Sequence, residues 1–157
     1  MKLINWKDDF LKRVVIIGAG ASGMLAAKVA SDRGYKVIVL EKQKRCGQKL
    51  LITGKGRCNI TNNCEIEELI ENVPTNGKFL YSAFYTFTND QVIDMFNDLG
   101  VETKTERGKR VFPVSDKAVD VVRALERQMN SNKNVEVLLN SKVDKIIAED
   151  GAVKKVV

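Results

Sequence analysis

The sequence contains no histidine, and this absence removes two common kinds of chemistry. A zinc site built from cysteine and histidine is excluded, and so is general base catalysis by a histidine of this chain. Cysteine is scarce too, because only Cys46, Cys58 and Cys64 occur and no two of them have CxxC spacing. An odd number of cysteines without a close pair argues against a disulfide framework. We therefore expect neither a bound metal nor a disulfide.

Long apolar stretches are also missing, so we expect no transmembrane helix and no membrane partner. Basic residues such as Lys2 and Lys7 precede an apolar run from Val14 to Ala30, and a signal peptide is the alternative interpretation of this pattern. Asp8 and Asp9 interrupt the basic region, however, and glycines divide the apolar run. A strand, turn and helix of a cytoplasmic protein explain these features better.

The composition is that of a globular protein. The chain has 157 residues, of which 44% are hydrophobic and 29% are charged, so one domain with a buried core is expected. The net charge of +6 suits an anionic ligand, a phosphate-rich cofactor or RNA. A solvated basic surface with no partner explains the charge equally well.

The first part of the chain predicts a βαβ unit. Val14–Ile17 is a short β-branched run, as expected for a strand that is buried on both faces. Ser22–Arg33 reads as a helix that Gly34 ends, and Lys36–Leu40 reads as the second strand. A strand, a helix and a second strand in this order indicate the α/β class.

The rest of the chain alternates shorter elements. We predict an irregular loop over Lys42–Asn63, helices over Glu65–Glu71, Thr88–Leu99 and Ser115–Met129, a hairpin of Val101–Glu106 with Arg110–Phe112, and strands over Asn134–Leu139, Lys142–Ala148 and Ala152–Val157. Thr88 and Gln91 have the spacing of a capping box, and Asp150-Gly151 is a typical hairpin turn.

A glycine fingerprint, Gly18-Ala19-Gly20-Ala21-Ser22-Gly23, joins the first strand to the first helix. Gly18 permits the tight turn, Gly20 lets the backbone approach a pyrophosphate, and Gly23 lets the helix lie close to the strand. The first helical turn, with Ala21 and Ser22, directs N–H groups at the phosphates. The context predicts dinucleotide binding, and a glycine-rich turn without a ligand is the alternative.

Glu41 follows the second strand, 23 residues after Gly18. A carboxylate at this place can accept hydrogen bonds from the ribose hydroxyls of the adenosine, and it would repel a 2′-phosphate. We include Glu41 and the adjacent Lys42 in the predicted cofactor site, and we do not expect the site to bind NADP. A surface acid without a ligand is the alternative for Glu41.

The loop that follows distinguishes FAD from NAD. A diphosphate that carries a ribityl chain and a flavin extends past the first turn and needs a second set of contacts. The predicted contacts of this loop are compact donors, close-approach glycines and basic residues: Lys49, Thr53, Gly54, Gly56, Arg57, Cys58 and Asn59. Solvated charge is the alternative for Lys49 and Arg57 and the preferred interpretation for Lys55. The loop lacks the Gly-Lys-Ser/Thr ending of a Walker A motif.

Three motifs carry a resemblance to a known family: Gly18–Gly23, Gly47–Asn62 with its GRCNITN string, and Arg107–Ser115 with its RVFPVS string. The chain resembles the bacterial NAD(P)/FAD-dependent oxidoreductase family that includes aminoacetone oxidase and a 3-dehydro-bile-acid reductase. The resemblance extends over nearly all of the chain after Lys12. Gln48 stands where many members have arginine, so no additional phosphate contact is assigned there.

The resemblance implies a Rossmann-like FAD-binding domain of the two-dinucleotide-binding, glutathione-reductase-like kind. Residues 1–157 would be the N-terminal part of that domain, incomplete at the C-terminus, without the substrate or cap domain and the returning C-terminal segment. The Val135–Ile147 segment resembles the strand pair whose backbone meets adenine, with Val143 as the expected contact and plain core as the alternative. Cys58 is expected to pack beside the cofactor, and a redox pair with Cys64 is the less favoured alternative.

The first functional hypothesis is an oxidoreductase in which FAD exchanges electrons with a small organic substrate or with NAD(P)H. No catalytic acid or base can be assigned. The alternatives are an FAD-dependent RNA-modifying enzyme, supported only by the basic charge, and a truncated fragment that binds nucleotide without catalysis. Nucleic acid is not the favoured partner. A missing C-terminal part, or self-association through the exposed edge of Val14–Ile17, is the expected protein partner.

Overall fold

A computed structural model describes residues 13–157, and the basic residues of the signal-peptide alternative before Arg13 lie outside this range. The strands are β1 (Arg13–Ile17), β2 (Lys36–Leu40), β3 (Thr61–Asn62), β4 (Thr103–Glu106), β5 (Arg110–Pro113), β6 (Val135–Leu138), β7 (Ile146–Glu149) and β8 (Ala152–Val156). The helices are α1 (Ala21–Asp32), α2 (Ile66–Glu71), α3 (Tyr81–Thr86), α4 (Asn89–Asp98) and α5 (Ala118–Asn130), with 3-10 segments at Leu50–Gly56 and Gly77–Leu80. No described helix has both the length and the apolar character that spanning a bilayer requires.

The described chain divides into two compact units. Unit 1 takes the residues through Gln48 together with Leu125–Val157, and unit 2 is Lys49–Ala124. Unit 1 contains the glycine fingerprint. Unit 2 contains the RVFPVS string and the segment Lys49–Asn62, which we call the GRCNITN loop.

The sheet of unit 1 is parallel and has the order β1-β2-β6. Val15 lies opposite Ile38 of β2, and Val39 lies opposite Val137 of β6. Because all three strands run the same way, their carboxyl ends meet at one edge of the sheet. This is the edge at which ligands bind in open α/β sheets.

The βαβ prediction is confirmed. The two predicted strands and the helix between them differ from β1, β2 and α1 by at most one residue at each end. α1 packs on β1 and β2, and the side chains of Met24, Ala27, Val37 and Val39 form a buried core. The chain leaves α1 through Gly34, whose φ of +83° explains why a glycine ends the helix there.

The last predicted strands are confirmed only in part. The β7–β8 hairpin turns at Asp150 and Gly151, both with positive φ, as that dipeptide predicts. The predicted start at Lys142 is wrong, because the backbone N–H groups of Asp144 and Lys145 both donate to the Val157 carbonyl and β7 begins only at Ile146. The two strands of the Val135–Ile147 segment lie in different sheets, since β6 pairs with β2 and β7 pairs with β8.

Unit 2 is built on an antiparallel sheet of order β3-β5-β4. The hairpin β4–β5 confirms the predicted pair, and its turn has positive φ at Gly108 and Lys109. The loop predicted over Lys42–Asn63 is not irregular throughout, because its residues Thr61–Asn62 form β3. In this strand Thr61 lies opposite Val111 of β5. The end of the loop is therefore anchored to the hairpin.

The helix starts in unit 2 were predicted with unequal success. α4 has the predicted capping box: the Gln91 backbone N–H donates to Thr88 Oγ1 at 3.2 Å, and the Thr88 backbone N–H donates to Gln91 Oε1 at 2.8 Å. The helix predicted with Ser115 as its cap begins later than expected, because the first residue of α5 is Ala118. Asp116 has a φ of +55°, and a right-handed helix cannot pass through a residue in that conformation.

Candidate functional site

The glycine turn of unit 1 leaves the start of α1 open. Gly20 precedes the helix with extended backbone, and no side chain caps the first turn, which also contains no acidic residue. A Cβ on Gly20 would have no atom within 4 Å, whereas a Cβ on Gly23 would lie 2.0 Å from the Gly18 carbonyl oxygen. The first turn of α1 thus has no side-chain cap, and Ala21 and Ser22 are exposed, as binding of a pyrophosphate requires.

Glu41 is buried and holds the same turn in place. Its Oε2 accepts the backbone N–H of Ala19 at 2.7 Å, and its Oε1 accepts the backbone N–H of Gln43 at 2.8 Å. The Gly18 backbone N–H adds a bond of 2.8 Å to the carbonyl of Leu40. Glu41, which is predicted to bind the ribose, thus also joins the end of β2 to the glycine fingerprint.

Replacing Glu41 with glutamine tests this double role. The amide retains one acceptor oxygen but places an NH₂ group against one of the two backbone donors, so we expect a loss of about 1–3 kcal/mol in unfolding free energy. Urea unfolding followed by circular dichroism measures the change. Glu136→Gln, at an exposed position of β6, is the matched control and should cost less than about 0.5 kcal/mol. Equal stabilities of the two variants would show that the Glu41 contacts are not stabilising.

The carboxyl end of β6 brings a further segment to this edge of unit 1. The Ser141 backbone N–H donates to the Glu41 carbonyl at 2.8 Å, and the Asn140 backbone N–H donates to the Gln43 carbonyl at 3.0 Å. Val143 follows in the connection between β6 and β7, where it is half-buried, and Lys42 is exposed. The adenine contact predicted at Val143 stays a prediction, now placed on a connecting segment and not on a strand.

The GRCNITN loop of unit 2 has an unusual main chain. Gly54, Lys55, Gly56 and Cys58 all have positive φ. A Cβ on Gly54 would lie 3.0 Å from the Asn59 backbone nitrogen and 3.0 Å from Phe112 Cε1. Glycine at position 54 is therefore required by both conformation and space.

The polar side chains of this loop are directed to its own framework. Thr53 Oγ1 donates to the Leu50 carbonyl at 2.7 Å. Asn59 Nδ2 donates to the carbonyls of Thr61, at 2.7 Å, and Val111, at 3.1 Å. Lys49, at the start of the loop, is exposed.

The cysteines are free thiols, and Cys58 and Cys46 are buried. Burial raises the pKa of the Cys58 thiol, partly offset by a hydrogen bond with Thr53. Burial, with smaller contributions from Glu126 and Glu41, raises the pKa of Cys46 to about 11. Both thiols are therefore protonated at neutral pH, which favours packing over nucleophilic chemistry for Cys58.

Arg57 lies at the centre of a charged cluster in unit 2. Its Nη2 contacts Glu106 Oε1 at 2.5 Å and Asp116 Oδ1 at 2.6 Å, and its Nε donates to Asp116 Oδ1 at 2.8 Å. Lys104 Nζ lies 2.8 Å from Asp116 Oδ2 and 3.4 Å from Glu106 Oε1. The guanidinium also stacks over the Phe112 ring at 4.2 Å from its centroid. We call Arg57, Lys104, Glu106 and Asp116 the clamp cluster.

The clamp cluster makes unit 2 sensitive to acid. The Arg57 hydrogen bond is the main cause of the lowered pKa of Glu106, and the Lys104 hydrogen bond, followed by that of Arg57, lowers the pKa of Asp116. A carboxyl group whose pKa is lowered by folding contributes stability above its unfolded pKa of about 4, and this contribution is lost as the pH falls through the folded pKa.

We therefore expect wild-type stability to fall more steeply than that of the Glu106→Gln/Asp116→Asn variant from about pH 5 downward. The comparison uses the urea concentration at which half of the protein is unfolded, measured for both proteins by far-ultraviolet circular dichroism at each pH. Parallel curves for the two proteins would contradict an acid-labile clamp cluster. Glu68→Gln removes a carboxylate from the exposed Lys109–Glu68 pair. This variant shows how far the loss of a carboxylate outside the clamp cluster changes the pH dependence.

Several residues of these two sites have no sequence signal of their own. Asn140 and Ser141 join the Glu41 edge only because β6 pairs with β2, and a parallel neighbour in the sheet is not encoded by local spacing. Glu106 and Asp116 flank the Arg107–Ser115 motif and bind Arg57, which is far from both in sequence. Parallel strands have their carboxyl ends at the same edge of a sheet. Applying this rule to the predicted strand β6 could have added the segment after it to the predicted site.

The geometry of unit 1 fits a dinucleotide. The space at Gly20, the uncapped start of α1 and the fixed carboxylate of Glu41 provide for a pyrophosphate and a ribose. No group of three or more histidine, cysteine, aspartate or glutamate residues suited to a metal occurs within residues 13–157.

Comparisons with known proteins agree with this geometry. Residues 12–157 match the family described as HI0933-like protein Rossmann domain. The 3-dehydro-bile acid delta(4,6)-reductase of Clostridium scindens is 34% identical over 150 residues, which are 90% of this chain and 36% of that protein. A ribosomal RNA dihydrouridine synthase of Escherichia coli is 33% identical over 129 residues, which are 82% of this chain and 31% of that protein. The chain thus spans about a third of these relatives.

Solved structures share the fold at low sequence identity. The apo Sdh1 complex of Mycobacterium smegmatis gives a TM-score of 0.65 at 20% identity, over 93% of this chain and 31% of that one. The 3-ketosteroid-delta4-(5alpha)-dehydrogenase of Rhodococcus jostii gives 0.63 at 15% identity, over 96% of this chain and 43% of that one. The predicted α/β Rossmann-like class is confirmed. The chain belongs to the HI0933-like protein Rossmann domain family.

Proposed function

We propose that this chain binds FAD and serves an oxidoreductase that exchanges electrons between a small organic substrate, or NAD(P)H, and the flavin. The observation that carries the proposal is the open start of α1 in unit 1, where Gly20 has clear space and no side chain caps the helix. When bound, FAD supplies the electron-transfer chemistry, and the protein supplies binding and orientation.

In unit 1, the first-turn N–H groups near Gly20, Ala21 and Ser22 would hold the pyrophosphate. The Glu41 carboxylate has lone pairs beyond those used by its two backbone donors, so it can accept ribose hydroxyls without releasing the turn. Its negative charge disfavours a 2′-phosphate at the same place. The FAD contacts expected from the Lys49–Asn59 stretch of unit 2 stay a prediction.

A flavin titration tests the proposal directly. The purified chain, stripped of any cofactor, is mixed with FAD and separated from free FAD by gel filtration, and the visible spectrum of the protein fraction is recorded. We expect retained flavin absorbance with FAD and weaker retention with FMN, which lacks the adenosine that the glycine turn would hold. A protein fraction free of flavin would reject FAD binding by this chain.

NAD(P)H as the electron donor needs a separate measurement. Under anaerobic conditions, bleaching of the bound flavin after addition of NADH or NADPH would support a pyridine nucleotide donor. Flavin that stays oxidised with both nucleotides but is bleached by dithionite would favour a donor of another kind. We expect the reaction to occur in the cytoplasm, where reduced pyridine nucleotides are available.

RNA modification is the second candidate function. It is favoured by the likeness to a ribosomal RNA dihydrouridine synthase and by the net charge of +6. Affinity for an RNA stem-loop that falls steeply between low and physiological salt would support it, because phosphate contacts release counterions. If RNA and a polyanion such as heparin are retained equally and weakly, the RNA-modifying function is rejected, and the net charge is explained by a basic surface without a specific partner.

Self-association is the proposed protein contact of this chain. β1 lies at the end of the parallel sheet order in the described residues, and Ile17 is about half exposed. An apolar strand edge of this kind favours pairing with another strand. Sedimentation at increasing concentration tests the proposal, and a constant monomer mass would reject it.

A further inference from the structure

Three polar side chains of the GRCNITN loop use donor groups on the protein itself. Thr53 uses its hydroxyl proton on the Leu50 carbonyl, and Asn59 uses its amide nitrogen on the carbonyls of Thr61 and Val111. Arg57 uses Nε and Nη2 on carboxylates of unit 2. The polar groups that make the loop look like a ligand site in sequence are the groups that shape it.

Arg57 connects the loop to two carboxylates that are distant in sequence. Glu106, on β4, is 49 residues away in sequence, and Asp116, before α5, is 59 residues away. The guanidinium also lies on the ring of Phe112, a buried residue of β5. A planar fork with two carboxylates and an aromatic face has a single favourable orientation, so Arg57 fixes the loop more strictly than a lysine could.

The main chain of the loop is held in a conformation that it would not keep alone. Gly54, Lys55 and Gly56 are consecutive left-handed residues, and Cys58 is a fourth. For lysine and cysteine this conformation costs free energy, which surrounding contacts must offset. The buried Cys58 side chain and the clamp cluster provide such contacts.

We propose that Arg57 is a positioning residue: it clamps the Gly54–Asn59 main chain into the shape that contacts FAD, and that contact is made by backbone groups. Glu106 and Asp116 are the other members of this device. The inference rests on the proposed function. It gives Arg57 a new role and adds Glu106 and Asp116, and none of the three would touch the cofactor through its side chain.

The test compares variants that separate a clamp from a direct contact. Arg57→Lys keeps a positive charge but loses the fork, and Glu106→Gln/Asp116→Asn keeps Arg57 but removes both anionic partners. We expect Arg57→Lys and the double variant each to weaken FAD affinity about tenfold. Arg57→Ala should weaken FAD affinity by no more than about twice that factor. Glu68→Gln, which removes one carboxylate from the 2.6 Å Lys109–Glu68 pair of the same unit, is the matched control and should leave affinity unchanged.

Amide hydrogen exchange gives a readout that does not depend on FAD. In the ligand-free protein, we expect faster exchange across residues 54–59 in Arg57→Lys and in the double variant, and wild-type exchange in Glu68→Gln. Faster exchange together with weaker binding supports the clamp.

The proposal is overturned if Arg57→Lys binds FAD like wild type while Arg57→Ala does not, since the charge alone would then be the contact. It is also overturned if the double variant leaves exchange and affinity unchanged. If the wild-type protein takes up no FAD, the proposed function is rejected, and so is the part of the inference in which the loop contacts FAD. The hydrogen-exchange data alone then test whether Arg57 fixes the conformation of the loop.

Discussion

Gly23→Ala should be the most destabilising single substitution in the nucleotide-binding turn, at about 3 kcal/mol or more. The added methyl group would lie 2.0 Å from the Gly18 carbonyl oxygen, 3.1 Å from the Gly18 carbonyl carbon and 3.5 Å from Ile16 Cγ2. The first two atoms belong to the backbone and cannot rotate away. Relief requires α1 to move off β1, and this would disrupt the buried contacts of Met24 and Ala27.

Urea or thermal unfolding, followed by far-ultraviolet dichroism, measures the effect. The control is Gly20→Ala in the same turn, because Gly20 has an ordinary φ of −80° and a Cβ there has no neighbour within 4 Å. We expect the control to stay within about 1 kcal/mol of wild type, the usual range for losing a glycine before a helix. Similar destabilisation by both substitutions would mean that helix capping, and not close packing, determines the role of Gly23.

Gly20→Val should have the largest effect on FAD binding, with a loss of roughly a hundredfold or more. The open space at Gly20 lies where the uncapped N–H groups of α1 begin, so two methyl groups there would occupy the volume that a pyrophosphate needs. Because nothing in the protein lies within 4 Å of the new Cβ, the fold should tolerate the substitution far better than Gly23→Ala.

Flavin retention and fluorescence titration measure the affinity, and the unfolding curve shows that the variant is folded. Ala26→Val adds the same side chain to an exposed position of α1 and should leave FAD affinity unchanged. Wild-type affinity in Gly20→Val would reject the assignment of the glycine turn to the pyrophosphate. It would leave the role of Gly23 in packing untouched.

The elements that could be predicted are those with short-range signals. α1 ends at a glycine with positive φ, α4 begins at a capping box, and the β4–β5 and β7–β8 turns contain residues that adopt the left-handed region. Each signal depends on residues a few positions apart, so the spacing alone determines it. The start of α5 was missed because the conformation of Asp116 interrupts a stretch that otherwise has helical spacing.

The candidate sites show the same limit. The glycine positions and Glu41 could be predicted because the fingerprint is a local pattern with a fixed distance to the next strand end. The partners of Arg57 could not, because a loop arginine has no sequence feature that separates a ligand contact from an internal ion pair. Its carboxylate partners become neighbours only when β4, β5 and the turn before α5 are assembled.

The sequence by itself determined the α/β order of the first strands and helix, the nucleotide turn and the family, since periodicity and motif spacing act over a few residues. Only the tertiary structure decided that Glu41 holds the Ala19 amide, 22 residues away, and that Arg57 is held by Glu106 and Asp116. The physical reason is that hydrogen bonds and ion pairs act over about 3 Å, whatever the separation in sequence, so their partners are chosen by the folded chain.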